Sequence, residues 1–173
     1  YYIYMSITSG RNRANCSTVQ TGGVAAIYLA PQADIDSVTL TGNLVSGITM
    51  VAAKVFYKFQ FKRDTAFFNE EMTNENGSAQ FAQSIQMIWS GRSQEDIDHL
   101  AELLACSNCG LAAVIEFNNG TKFLVGQKDN EYLEVPSATM ESGTLKSDAV
   151  QSTVNLAGTS SAGSPTFTAV VPV

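Results

Sequence analysis

From Ser78 to Trp89 the chain alternates without a break, and this run constrains the fold more than any other. Ala79, Phe81, Gln83, Ile85, Met87 and Trp89 form a mainly apolar set, interleaved with the mainly polar Ser78, Gln80, Ala82, Ser84, Gln86 and Ile88. Side chains on a strand point to opposite faces in turn, so period two over this length describes a long strand with one buried face. Asn74-Glu75-Asn76-Gly77 precedes it. Asn and Gly tolerate the positive φ that tight hairpin turns require, so residues 65–73 are its expected hairpin partner.

Other segments extend the pattern. Val24–Ala30 is a short apolar run stopped by Pro31, and Leu111–Phe117 is another. Both are too short for stable helices and read as buried strands. Ser37–Leu40 and Ile48–Val51 flank Thr41-Gly42-Asn43 as further strand candidates. Between residues 55 and 62, Val55, Tyr57, Phe59 and Phe61 share one face of an alternating aromatic stretch, with Phe56 as the exception. Arg63-Asp64 allows a turn after it. Asn118-Asn119-Gly120 is a second hairpin signal, returning through Thr121–Gly126 to a turn at Asp129-Asn130 and a segment Tyr132–Val135. From residue 136 the chain is rich in Ser, Thr and Gly, with strands expected around Val150, Ser152, Val154 and Leu156 and around Thr166–Val171.

One helix is expected, over about residues 93–106. Ser93 is a good N-cap and Asp96 completes a capping-box-like pair. Glu95, Asp96 and Asp98 suit the positive end of the helix dipole. Ile97, Leu100, Leu103 and Leu104 make one apolar stripe, and Gly110 follows as a C-terminal stop. Many strands with one helix give a mainly β, α+β fold: an antiparallel β-sandwich or small barrel with one flanking helix. Residues 1–23, largely polar and Gly-containing, read as an extended arm; residues 24–173 read as a single β domain, with no dividing linker and no repeat.

Charge excludes some functions. Only 15% of residues are charged, against about a quarter in ordinary domains, and the net charge is −6. Weakly charged polar surface suits protein contacts, because burying neutral polar groups costs less than burying charges. The basic residues are scattered, with Arg11/Arg13 and Lys62/Arg63 the closest groupings, which disfavours tight nucleic-acid binding. No apolar run is long enough to span a membrane as a helix. The start, Tyr1-Tyr2-Ile3-Tyr4-Met5, lacks a basic n-region and does not read as a secretory signal; Met5 is a candidate natural start.

Candidate chemistry is sparse. Cys106-Ser107-Asn108-Cys109 has metal or redox spacing, but only Cys16 and His99 remain to complete a ligand set. The pair also falls at a helix end rather than a helix start, so two reduced thiols are expected and no metal. His99 flanks the apolar stripe as a boundary residue rather than a base. Glu70 and Glu71 are adjacent in a strand and point apart, so they do not converge as a glycosidase pair, and Glu75 belongs to the turn. Tyr57, Phe59 and Phe61 read as core or subunit interface rather than a stacking platform. No enzyme activity, cofactor or metal is expected.

As an ordered set, four segments resemble the tail tube proteins of phages and prophages of Bacteroidetes-type hosts. They are Gly22-Gly23-Val24-Ala25-Ala26-Ile27-Tyr28-Leu29-Ala30; Phe68-Asn69-Glu70-Glu71-Met72 with Gly77-Ser78 and Phe81-Ala82-Gln83; Ala113-Val114-Ile115-Glu116-Phe117-Asn118-Asn119-Gly120 through Gly126; and Ser142-Gly143 with Asp148. The resemblance covers roughly residues 22–156. It implies a structural virion protein, assembled in the host bacterial cytoplasm. Hexameric rings stack into a tube, and their inner strands join in one barrel around a lumen. DNA passes that lumen without specific binding, and the partners are the chain itself and other tail proteins. Glu70, Glu71 and Glu75 become lumen-charge candidates, with only one of the adjacent pair facing inward. Tyr57, Phe59, Phe61, Phe81 and Trp89 become packing or subunit-interface candidates. A contractile injection-system tube and another tail, neck or baseplate ring share the architecture. A carbohydrate-binding or adhesin-like β-sandwich is the alternative from a different class.

Overall fold

The computed structural model describes residues 22–127 and 130–173. In chain order these form β1 (Val24–Pro31), β2 (Ile35–Thr41), β3 (Leu44–Met50), β4 (Tyr57–Phe59), β5 (Phe67–Glu75), β6 (Ser78–Ser90), α1 (Gln94–Ser107), β7 (Leu111–Phe117), β8 (Lys122–Val125), β9 (Glu134–Glu141), β10 (Gln151–Ser160) and β11 (Thr166–Phe167). A seven-stranded sheet runs β2-β3-β11-β8-β7-β1-β4 and a four-stranded sheet runs β5-β6-β10-β9. All pairings are antiparallel except β11 with β3. The fold is therefore mainly β, in two sheets with one helix. Neither sheet closes, so the sandwich is realised and the barrel is not.

Two cores hold it together. Between the sheets, Ile27, Leu29, Ala113, Ile115 and Val125 meet Ile85, Met87, Trp89, Val154 and Leu156, with Leu100 and Leu103 of α1 closing one end. On the other face of the large sheet, Val114 and Leu124 pack with Val45, Phe56, Phe167 and Val171. β7 is thus buried on both faces, which is why its sequence is a continuous apolar run rather than an alternation.

The strongest turn signals act as the chemistry requires. Asn76 and Gly77 take φ of 53° and 81°, the two left-handed positions of a two-residue hairpin loop joining β5 to β6. Gly120 takes φ of 83° at the end of the β7–β8 turn. On α1, the Ser93 hydroxyl accepts from the Asp96 amide and the Asp96 carboxylate accepts from the Ser93 amide, completing the capping box.

Several expectations change. The aromatic stretch 55–62 is a strand only at Tyr57–Phe59, and Phe56, its exception, is 1% exposed in the second core. An edge strand beside a sheet covered on both faces sends neighbouring residues into different cores, so no single apolar face exists there. Leu104, placed on the helix stripe, is 48% exposed, because the helix rests only its Leu100–Leu103 side on the sandwich. The polar stretch after residue 136 contains a full strand, β9, whose inner face is carried by Ala138 and Met140. β10 starts at Gln151, leaving Val150 outside it and 40% exposed. The expected arm lies outside the described residues except for Gly22 and Gly23; the Asn118 side-chain amide donates to the Gly22 carbonyl at 2.9 Å.

Candidate functional site

The four-stranded sheet has one face in the core and one turned away from it. Register assigns every residue to a face. Glu71 lies opposite Ala82, Glu75 opposite Ser78, Glu134 opposite Ala157 and Glu141 opposite Gln151. All four carboxylates are on the outer face, among Asn69, Thr73, Gln80, Ser84, Gln86, Thr153, Asn155, Ser137 and Thr139. The four strands contain no Lys, Arg or His. The face is therefore largely hydroxyl and amide, with Phe67 and Ile88 as its large apolar members and charges of one sign. Like charges on a polar wall repel phosphate, and no ammonium or guanidinium from these strands holds it.

Glu70 does not belong with that set. It stands opposite Gln83 on the inner face. Its carboxylate accepts from Gln83 Nε2 at 2.9 Å and from the Ser164 amide at 3.0 Å, and it takes the Ser164 hydroxyl as well. Its role is to tie β5 to the segment leading into β11. Glu71 and Glu75 remain the outward-facing pair. Glu134 and Glu141 complete the acidic face; neither is among the candidates named from the sequence, although the alternation of Ala138 and Met140 with Ser137, Thr139 and Glu141 carries the signal of a strand.

The edges of this sheet matter as much as its face. Among the described residues β5 pairs only with β6, and β9 pairs along its length only with β10. The helix end covers part of the β9 edge, where the Ser107 hydroxyl accepts the Val135 amide at 2.8 Å. β5 has no proline, lysine or helix cover along its nine residues, and Met72 and Phe67 are exposed on it. An uncovered strand edge of this length is a template for pairing with another chain.

The aromatic candidates separate. Trp89 is buried and stacks on Phe59 with ring centroids 6.0 Å apart; Phe59 in turn meets His99 edge-on at 6.2 Å. Phe61 packs against the core between the sheets, while Phe81 is half-buried on the inner face opposite Met72. Tyr57 is 61% exposed and joins no core. It opens instead onto a groove of about 870 Å³ between β4 and α1, with Glu95, Asp96 and Glu102 on the helix side.

The remaining chemical candidates are held structurally. His99 sits between Glu95 and Glu102, at 3.6 and 3.7 Å, on the half-exposed flank of α1. Cys106 and Cys109 are free thiols near the helix end; Cys16 lies outside the described residues. Burial pushes the Cys106 thiol pKa up, and Cys109, Asp34 and Glu102 add to it, which keeps the thiol protonated and poorly nucleophilic. No group of three or more metal-ligating side chains occurs among the described residues. No helix of the described residues is long and apolar enough to cross a membrane. No family model matches the chain, and no curated protein or solved structure matches it at a significant level.

Proposed function

We propose that this chain is a structural subunit of a phage tail tube, built from rings of six copies with DNA passing through the lumen. In this reading the β5 edge of one copy pairs with the β9 edge of the next, extending the four-stranded sheet into a closed barrel. Closure removes the exposed edges that make a lone copy prone to indiscriminate pairing. The outer face then lines the lumen, with Glu71, Glu75, Glu134 and Glu141 as its charges, and Glu70 stays in the wall. The observation that carries the reading is the combination, on one sheet, of an uncovered β5 edge, a β9 edge covered only at its start, and a face whose only charges are negative. A contractile injection-system tube or a neck or baseplate ring uses the same construction, and the resemblance of the four segments favours the tail tube.

Electron microscopy of the purified chain tests it. Rings with an open centre, alone or stacked, are the expected result. A species that sediments as a monomer at every concentration sinks the reading.

A second reading has its own observation. Exposed Tyr57 beside Phe59 and Phe61, facing carboxylates across the β4–α1 groove, has the apolar-plus-acceptor make-up of a sugar-binding cleft. It requires a stable monomer retained by glycans, with retention lost on Tyr57→Ala.

A further inference from the structure

The two edges of the four-stranded sheet are offset along the strands. Ser137 lies opposite Asn155, Asn155 opposite Gln86 and Gln86 opposite Phe67, so Ser137 on one edge and Phe67 on the other share a level. From that level the free lengths run in opposite directions. β5 extends from Phe67 toward Glu75 and the Asn76-Gly77 turn. β9 extends from Ser137 to Glu141, toward the end of the sheet that carries Ser90. The rest of the β9 edge is taken. The Ser107 hydroxyl of α1 accepts the Val135 amide at 2.8 Å, and Pro136, within the bulge between Glu134 and Ser137, has no amide hydrogen. Leu133, just before the strand, exchanges both backbone bonds with Leu111 of the large sheet at 2.9 Å.

Two copies set level with one another therefore cannot join. The free stretch of β9 would face the neighbour's Arg63-Asp64 turn, and β5 would face the end of α1. Displacing one copy along the strands by an even number of residues keeps the polar face continuous, because an odd step turns its outer residues inward. A two-residue step engages only Phe67–Asn69. A four-residue step sets the whole of Ser137–Glu141 against Phe67–Glu71. An eight-residue step puts Glu141 opposite Glu71, like charge on like. Four residues are about 13 Å of rise over about 19 Å of arc, a strand tilt of about 35°, where barrels tilt by about 35–45°. Six already need about 46° by the same spacing. We infer that neighbouring copies join with a four-residue stagger, with Ser137, Thr139 and Glu141 of one opposite Glu71, Asn69 and Phe67 of the next.

The same displacement closes the joint on its wall side. Met72, 66% exposed, belongs to the inner face of β5 and comes level with the neighbour's Pro136, where the end of α1 lies. Leu104, 48% exposed, is one turn before Ser107. It stands about 140° round the helix from His99, at about 100° per residue, and the His99 ring meets Phe59 of β4. Leu104 is therefore on the flank turned away from β4. The stagger brings Leu104 of one copy onto Met72 of the next, so two apolar side chains that a lone copy leaves in water cover each other. The inference rests on the ring reading and names the register of its joint.

The test uses the full chain. Thr139→Cys is combined in turn with Phe67→Cys, Asn69→Cys and Glu71→Cys, and each pair is oxidised beside its two single variants, which hold the same native cysteines. The Asn69 pair is expected to give a ladder of linked copies on a denaturing gel, because directly opposite Cβ atoms lie about 5 Å apart. The other two pairs, displaced to about 7–8 Å, are expected to link at least about fivefold less. Strongest linking through Phe67 or Glu71, or linking through none of the three while wild type forms rings, overturns the stagger and leaves the ring reading standing. Met72→Lys and Leu104→Glu, both at exposed positions, are expected singly to keep the wild-type circular dichroism and to raise the concentration needed for rings about tenfold or more. Together they are expected to restore assembly through the new charge pair. Rings at the wild-type concentration from either single variant, or no recovery in the double variant, overturn the Leu104–Met72 contact. Absence of rings from wild type removes the ring reading and the inference with it.

Discussion

Gln83 stands directly across the β5–β6 ladder from Glu70 and donates its side-chain amide to that carboxylate at 2.9 Å, inside the sandwich rather than on its surface. Ser164 shares the same carboxylate through its amide and hydroxyl. One glutamate therefore pins a strand of the small sheet to the chain segment entering the large one. Glu70→Ala leaves the Gln83 amide and Ser164 without that acceptor, and the expected cost is about 2–3 kcal/mol, the penalty for stranding buried polar groups that had a charged partner. Urea denaturation measures it. A loss below about 0.5 kcal/mol, the range of ordinary surface substitutions, contradicts the pinning role.

Ser152 is fully buried opposite Trp89, and neither its hydroxyl nor the indole Nε1 has a hydrogen-bond partner. Ser152→Ala removes an unmet polar atom with little change of volume. It is expected to stabilise the fold by about 1 kcal/mol, since a buried hydroxyl without a partner costs that order. For a domain of this size that is a rise in Tm of about 2–4 °C. A fall in Tm on calorimetry excludes the idea.

The free edge of β5 yields a prediction with an internal control. Along an edge strand, successive amides point alternately into the ladder and away from it. Proline at Glu71 and proline at Met72 therefore remove amides of opposite direction. One variant is expected to lose an internal ladder bond and melt early. Its counterpart is expected to keep its melting temperature yet fail to form rings. If both variants assemble, β5 is not the edge through which copies join.

Acid is expected to act late on the loop that carries Leu145. The amides of Leu145 and Thr144 hold the Asp148 carboxyl below its ordinary range. A depressed folded pKa contributes order that is complete above the unfolded value and is lost only as pH falls through the lower, folded one. Amide exchange at Leu145 and Thr144 is therefore expected to stay slow through the ordinary carboxylate range and accelerate only below it. Asp148→Asn is expected to abolish that acid step. Acceleration at the ordinary carboxylate value in wild type would show that the turn is not held in this way.

Legibility in the sequence followed how many faces a strand buries. β6 was plain because one face is apolar and the other polar over its full length, and the Asn76-Gly77 turn fixed its partner. β7 was plain for the opposite reason, being apolar without a break from Leu111 to Ile115. The Phe56–Phe61 stretch misled because its residues divide between two cores, a fact about the surrounding sheet and not about the stretch. β9 was hidden because its outer residues are Ser, Thr and Glu and its inner ones are small or single, with Pro136 suggesting a break. Half of the acidic face was hidden with it: Glu71 and Glu75 were visible as a pair, while Glu134 and Glu141 became part of the same surface only through pairing across β10. The role of Glu70 needed Ser164, far away in the chain, and no local pattern signals that.

A four-stranded sheet is also a length of arc. Strands lie about 4.8 Å apart, so each copy in the proposed ring supplies about 19 Å of circumference. Six copies close a barrel about 37 Å across its backbones, leaving about 27 Å clear once inward side chains of ~5 Å are allowed for, before strand tilt widens it. Four copies leave only about 14 Å by the same spacing, and would need the full tilt of a barrel strand to reach about 20 Å. The number of strands in the small sheet therefore sets the smallest ring that this chain can use as a conduit for double-stranded DNA.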